Sequence, residues 1–143
     1  MNPNPRPTGG LASLVLTLVI IELTVATAYI HLTLGGQLFT LNGLGYLALA
    51  AAYAVGAALP IPIVQRFGWL PRLGLAGYTL LTIAAYLVMG PYLAPGWIAK
   101  GIEVAIVGLL VVDLLVVYGS PRGLWHAVQG SAPSGPRGGP RHA

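Results

Sequence analysis

The sequence contains no cysteine among its 143 residues and has few charged side chains of either sign. Without cysteine, disulfides, thiolate metal sites and cysteine nucleophiles are excluded. Only 7% of the residues are charged, whereas a typical soluble domain has roughly 25%. With 56% hydrophobic residues and a mean hydropathy of +0.80, the chain has too little polar surface to cover a water-soluble globule. We therefore expect most of it to lie in lipid.

Motifs for several common activities are also missing. The sequence has no phosphate-binding glycine loop, no nucleophile elbow and no cluster of histidines and acids at metal-ligand spacing. The net charge is +4, but the basic residues form no patch among aromatic residues, so nucleic-acid binding is not expected. We expect neither an enzyme nor a cofactor requirement from these features.

Four long apolar stretches are present, at about 11–33, 38–59, 73–93 and 98–118. Each has about 20 residues, the length that a helix needs to cross a hydrocarbon core of about 30 Å. The stretches are continuously apolar rather than alternating, which argues against the strands of a membrane barrel. The sequence therefore predicts an all-α integral membrane protein with four transmembrane helices in an up-down bundle.

The flanking segments read differently from the spans. Residues 1–10 form a short N-terminal segment, and residues 119–143 form a basic tail rich in Gly, Pro and Ser, which we expect to be disordered. Arg6, the apolar run after it and the Ala26-Thr27-Ala28 sequence together imitate a signal peptide. Glu22 would interrupt the apolar region of that signal, so we expect a retained helix.

Lysine and arginine positions predict the orientation, because cytoplasmic loops are enriched in these residues. With four spans, only Lys100 falls on one side of the membrane. The other side carries Arg6, Arg66, Arg72, Arg122, Arg137 and Arg141. The sequence therefore predicts that both termini and the middle loop face the cytoplasm of a bacterial cell. The tail arginines are expected to meet anionic lipid.

Three acids within the spans are candidates for chemistry. A charge at the bilayer centre costs about 2.5–3.5 kcal/mol on insertion scales, so such residues usually face a protein interior. Glu22 lies near mid-depth of the first helix, and we expect it to be neutral, or bonded to a hydroxyl or amide such as Asn42. Its carboxyl either couples proton or cation movement or joins two helices by hydrogen bonding.

For Glu103 we expect an ion pair with Lys100 at the outer interface. Asp113 has no such partner nearby in the sequence, and water or Arg122 could reach it.

His31 ends the first apolar stretch and is a candidate ligand for a cofactor. The other histidines, His126 and His142, follow the fourth span on the opposite side, so a bis-histidine haem within one chain is excluded. A single ligand to haem, chlorin or metal remains open, as does quinone binding. The simpler interpretation is an interfacial histidine that caps the first helix beside Tyr29.

Small residues at intervals of four predict close helix packing, either within the chain or with a partner. They are Ala48, Ala52 and Gly56 on the second helix, and Gly101 and Ala105 on the fourth.

The stretch from Tyr29 to Ala52, "YIHLTLGGQLFTLNGLGYLALAAA", carries a His-Leu pair before a Leu-Phe-x-Leu-Asn motif. It resembles the first hairpin of small four-helix membrane proteins of high-GC bacteria such as actinobacteria. The resemblance covers about a sixth of the chain and implies a topology but no reaction.

A second likeness rests on Glu22 as one acid within the first of four helices. In this respect the chain is similar to the small multidrug resistance transporters, and the likeness implies proton-coupled transport through Glu22. The chain departs from them at bulky Ile20, Ile21 and Leu23, which stand where those transporters have small and polar residues. The departure argues against substrate access to the carboxyl.

The short loops and the lack of a soluble domain leave little for substrate recognition from water. The sequence therefore predicts an accessory or structural subunit that packs against other membrane proteins or against itself. The alternative is a small proton- or cation-coupled transporter that uses Glu22 and Asp113.

Overall fold

The computed structural model describes residues 10–131, which form six helices. Their bounds are α1 Leu11–Leu34, α2 Gln37–Ala58, α3 Pro62–Arg66, α4 Trp69–Met89, α5 Ala94–Tyr118 and α6 Pro121–Ser131. By length and composition, α1, α2, α4 and α5 can each cross a membrane. The all-α fold with four long apolar helices is therefore confirmed. Apart from Gly10, the predicted N-terminal segment lies outside the described residues, as does the tail from residue 132 onward.

The four long helices form a ring in which α1 packs on α2 and α5, and α4 packs on α5 and α2. Buried residues recur at intervals of three and four along each helix. On α5 they include Glu103, Ile106, Leu110 and Asp113. This near-heptad spacing is typical of membrane bundles whose helices cross at a shallow angle.

The apolar core lies at mid-height of the ring. It is built from Ile20, Tyr46, Tyr53, Leu75, Ile106 and Leu110. Large apolar side chains also cover the outside of the bundle, while charged and hydroxyl side chains occupy part of its interior. This distribution suits a lipid environment, because hydrocarbon forms no hydrogen bonds. Each polar side chain within a span must therefore find its partner inside the protein.

The turn between α1 and α2 consists of two glycines, Gly35 and Gly36. Gly35 has φ 72° and Gly36 has φ 87°, conformations that residues with a Cβ rarely adopt. The turn ends α1 and starts α2 within two residues, so the two helices form a tight antiparallel hairpin. We call this end of the bundle the His31 end and the opposite end the Arg72 end.

Two helix starts differ from the sequence prediction. α4 begins at Trp69 rather than at residue 73, with Pro71 in its first turn, and α5 begins at Ala94 with Pro95 in its first turn. Both prolines fall outside the predicted spans. Proline is tolerated in a first turn, however, because the missing N–H has no acceptor there. The earlier start of α4 places Arg72 inside a helix.

Part of the predicted disordered tail is helical, because α6 occupies residues 121–131. The Ser120 hydroxyl accepts a hydrogen bond from the Gly123 N–H at 3.1 Å, which caps the first turn, and Pro121 suits the start of a helix. Leu124 and Val128 are half-buried, whereas Trp125 is exposed. α6 packs against α3, α4 and α5, so this amphipathic segment has a surface on which to fold.

α1 and α2 approach each other closely at Gly43, which does not belong to the predicted small-residue stripe. A Cβ on Gly43 would lie 2.9 Å from the Ala28 carbonyl oxygen and 2.7 Å from Leu32 Cγ. Of the predicted stripe only Gly56 is buried, against Pro71. The other four residues face outward: Ala48, Ala52, Gly101 and Ala105. Spacing alone could not show which side of each helix faces the bundle.

We predict that Gly43→Ala destabilises the protein by about 1–3 kcal/mol, since the new methyl group overpacks the α1–α2 contact. Gly77→Ala is the matched control, because Gly77 also lies within a helix but a Cβ there meets nothing within 4 Å. Thermal unfolding in one detergent compares the two variants. Equal melting temperatures would contradict the close approach at Gly43.

Candidate functional site

Four charged side chains lie inside the bundle as two ion pairs, one near each end. Arg72 and Lys100 are each 6% exposed, Asp113 is 1% exposed and Glu103 is fully buried. α5 carries both acids, and the bases come from α4 and from α5 itself. A buried ion is tolerated when a partner and further hydrogen bonds compensate for its lost hydration. Both pairs meet this condition.

At the Arg72 end, the Arg72 guanidinium joins α4 to α5. Its Nε donates to Asp113 Oδ2 at 2.7 Å, and its Nη1 donates to the Gly68 carbonyl oxygen at 2.7 Å. The guanidinium also lies over the Tyr53 ring, 5.5 Å from the ring centroid. One side chain therefore contacts three segments of the chain: α5, α2 and the start of its own helix.

The Tyr53 hydroxyl is fully buried beside this pair and has no hydrogen-bond partner among residues 10–131. A buried phenol that donates no hydrogen bond is destabilising, so a water molecule or a small shift toward Asp113 is expected to satisfy it. Tyr53 adds a polar group to the neighbourhood of the ion pair.

The sequence prediction for Asp113 was wrong about its partner, which is Arg72 and not water or Arg122. Arg72 was assigned to a loop because α4 was started after it. The start of α4 at Trp69 instead places Arg72 inside the helix. Arg72 lies three residues from the start of α4, and Asp113 lies five residues from the end of α5, so antiparallel helices bring them to similar depth.

At the His31 end, Glu103 is the centre of a polar cluster that we call the Glu103 cluster: Thr27, His31, Thr82, Lys100 and Glu103. Lys100 Nζ lies 2.5 Å from Glu103 Oε2 and also donates to the Thr82 carbonyl oxygen at 3.3 Å. The Thr27 hydroxyl donates to Oε1 at 3.3 Å, and the Thr82 hydroxyl donates to Oε2 at 3.1 Å. The predicted Lys100–Glu103 pair therefore exists, but it is buried between α1, α4 and α5 instead of lying at an exposed interface.

His31 belongs to the same cluster and is 3% exposed, so its side chain lies inside the bundle, whereas Tyr29 is exposed. Its Nδ1 lies 2.8 Å from the Thr27 carbonyl oxygen. A carbonyl oxygen only accepts, so Nδ1 carries the proton. Nε2 lies 3.7 Å from Glu103 Oε1, too far for a hydrogen bond. The imidazole is thus held by one nitrogen and leaves the other available.

An apolar layer separates the two ion pairs. Glu103 and Asp113 are ten residues apart on α5, about 15 Å along the helix, and Ile106 and Leu110 are buried between them. On the facing helices, the Thr24 and Thr79 hydroxyls donate to carbonyl oxygens of their own helices. The two polar groups therefore lie in separate layers.

Glu22 occupies a different position from the other two acids. Its side chain is exposed on the outward face of α1, not buried against another helix as expected. Within the described part of the chain its carboxylate has neither a hydrogen bond nor an ion pair. The sequence identified Glu22 as an unusual residue, but it could not show which face of α1 carries it.

A cavity of about 320 Å³ lies beside the Glu103 cluster, between α2 and α4 at the His31 end. We call it the α2–α4 cavity. Its polar lining includes His31, Asn42, Tyr78, Thr82 and Lys100, and the rest of its wall is mainly apolar. Asn42, predicted as a partner for an intramembrane acid, instead accepts a hydrogen bond from the Tyr78 hydroxyl through its backbone oxygen at 3.2 Å. Its side-chain amide bonds to no described residue.

No three histidine, aspartate or glutamate side chains between residues 10 and 131 lie close enough together to hold a metal ion. Comparison of the chain with protein-family models, with curated proteins and with solved structures gives no match. The arrangement of residues is therefore the basis for a functional assignment. It offers an outward carboxyl on α1 and a partly polar cavity.

We predict that Arg72→Met and Asp113→Leu each destabilise the protein by about 3–5 kcal/mol, because each leaves one buried charge without its partner. The double variant removes both charges, so it is expected to recover most of that loss. Reversible unfolding of the four proteins in one detergent gives the double-mutant cycle. Additive losses in the double variant would show that the two residues do not interact.

Proposed function

We propose that this protein is a small integral membrane subunit that acts by packing against another transmembrane protein or against a second copy of itself. The observation that carries the proposal is the exposed carboxyl of Glu22 midway along α1, which has no partner among residues 10–131. The remaining surface around it is apolar. A partner helix packed against this side of α1 would supply hydrogen-bond partners for the carboxyl.

The physical argument concerns hydrogen bonding in lipid. Even a neutral carboxyl has a donor and acceptors that hydrocarbon cannot satisfy. Eleven residues precede Glu22 in α1 and twelve follow it, so its side chain is too short to reach the lipid headgroups at either end of the helix. A hydroxyl, amide or second carboxyl on a neighbouring helix would satisfy both groups. In a symmetric pair of chains, two Glu22 carboxyls would bond to each other.

The α1 surface around Glu22 is a continuous stripe with alternating intervals of four and three residues. All seven of its members are exposed: Leu11, Val15, Leu18, Glu22, Val25, Tyr29 and Leu32. The stripe, which we call the Glu22 face, has the geometry of a seam for a second helix at a shallow crossing angle. A polar residue at one position of such a seam fixes the register of the pair.

Transport through Glu22 is supported less well. A coupling carboxyl has to alternate between two sides of the membrane through the protein, whereas Glu22 points away from both ion pairs. The apolar layer between those pairs also argues against a polar path along the bundle axis. The exposure of Glu22 favours helix packing.

We also propose that both chain ends face the cytoplasm of a bacterial membrane. Arg72 and Lys100 are neutralised inside the bundle, so they no longer count as loop charges. By sequence position the other five arginines all belong to the Arg72 end: Arg6, Arg66, Arg122, Arg137 and Arg141. The charge asymmetry is then five to none, which supports the Arg72 end as cytoplasmic.

We predict that a photo-reactive benzoylphenylalanine at Leu18, one turn from Glu22, cross-links to a transmembrane protein in native membranes. The same group at Leu80, an exposed position on α4, is the control. Mass spectrometry of the product shows whether the partner is a second copy or another protein at fixed stoichiometry. Cross-links to lipid alone at both positions would overturn the proposal.

Substitutions at Glu22 test whether the carboxyl itself holds the partner. Glu22→Leu removes the hydrogen bonds, and we expect association to weaken about 3- to 30-fold. Glu22→Gln keeps donor and acceptor, so we expect association to persist. A Gln variant that associates normally but has lost a measurable proton-coupled flux would instead support the transporter.

A further inference from the structure

We propose that the α2–α4 cavity binds a lipid-soluble quinone-class molecule, an uncharged ring with carbonyl or hydroxyl oxygens and an apolar tail. No residue of the Glu22 face lines the cavity, so this inference is independent of that face. It rests on three observations: where the cavity opens, which polar atoms remain unused at its inner wall, and the charge balance there.

The opening of the cavity faces the surroundings of the bundle through an apolar rim. Four large apolar side chains of its lining are at least half exposed: Leu38, Leu41, Leu81 and Met89. These side chains lie on α2 and α4, both of which can cross a membrane. A ligand therefore enters from lipid, and an apolar tail can remain there.

The inner wall of the cavity has polar atoms with bonding capacity left. Lys100 Nζ has three donors, of which two are used by Glu103 and the Thr82 carbonyl oxygen. The Asn42 amide makes no hydrogen bond within residues 10–131. His31 Nε2 makes none there either, because Glu103 Oε1 is 3.7 Å away. Lys100 and Asn42 can donate to a carbonyl oxygen, and His31 Nε2, when it carries no proton, can accept from a hydroxyl.

Charge at the inner wall selects against an anionic ligand. Lys100 is paired with Glu103, so the pair has no net charge with which to attract a phosphate or carboxylate. A cationic ligand would be repelled by the Lys100 ammonium group, which lines the cavity. An uncharged ring with a polar oxygen fits both constraints, and its flat faces suit the aromatic residues Phe39, Tyr78 and Tyr86 of the wall.

The size of the cavity is compatible with one ring. Small-molecule pockets typically have volumes of about 300–1,000 Å³, and this one has about 320 Å³. A ring with its polar oxygens fits in such a volume, but a complete lipid does not. The tail must therefore extend through the rim into the bilayer.

Binding is tested with decylubiquinone and the purified full-length chain in nanodiscs, by equilibrium partitioning corrected for empty discs. Ala85 lines the cavity, whereas Ala84 on the same helix is exposed outside the lining. We expect saturable binding that Ala85→Phe abolishes and that the matched control Ala84→Phe retains. Asn42→Leu, which removes one donor, is expected to weaken binding about 3- to 10-fold.

Decylbenzene, which has the ring and the tail but no oxygen, separates polar recognition from simple filling by hydrocarbon. Saturable binding of decylubiquinone with little binding of decylbenzene supports the proposal. Equal binding of both compounds would show that the cavity accepts acyl chains only. That result, or the absence of saturable binding, or equal binding by the Ala84 and Ala85 variants, overturns the proposal.

Discussion

Lipid supplies no hydrogen-bond partner to a charged side chain, so a charge in a span must be balanced inside the protein. In this bundle the Arg72–Asp113 and Lys100–Glu103 pairs provide that balance, and both depend on α5. The Arg72 pair joins α5 to α4, and the Glu103 hydrogen bonds join it to α1 and α4. α5 is therefore the helix on which the interior of the bundle is organised. The contact of Asp113 with Arg72 and the hydrogen bonds of Glu103 to Thr27 and Thr82, about 15 Å apart along α5, fix its rotation about its own axis.

The same constraint makes Glu22 the exception among the acids in the spans. Two of the three acids in the spans have bases beside them, and the third lies outside with no described partner. The proposed packing partner would supply the hydrogen bonds that residues 10–131 do not provide to this outward carboxyl. The proposal for the α2–α4 cavity rests on a similar observation, which concerns unused hydrogen-bond donors at its wall. Lys100 and Asn42 have donors that residues 10–131 do not use, and both residues line a cavity whose rim is apolar.

Four apolar helices, the Gly35-Gly36 turn and the Lys100–Glu103 pair could be predicted from the sequence, because each depends on local composition or on spacing within one helix. The Arg72–Asp113 pair could not, since it required the correct start of α4 and the mutual rotation of two helices. The face that carries Glu22 was unpredictable for a similar reason. α1 is apolar all round, so hydrophobicity gives no sign of which side meets α2 and α5. In lipid, an outward face and an inward face can have the same composition.

The central claim is that Glu103 and Asp113 are enclosed in ion pairs while Glu22 faces lipid or a partner. Labelling with dicyclohexylcarbodiimide, which reacts with protonated carboxyls in apolar surroundings, tests it directly in detergent at low protein concentration. Peptide mass spectrometry is expected to find the label on Glu22 and to find none on the peptides that contain Glu103 and Asp113. Glu22→Gln is expected to remove the labelling altogether. Label on Glu103 or Asp113 with an unmodified Glu22 would contradict the account.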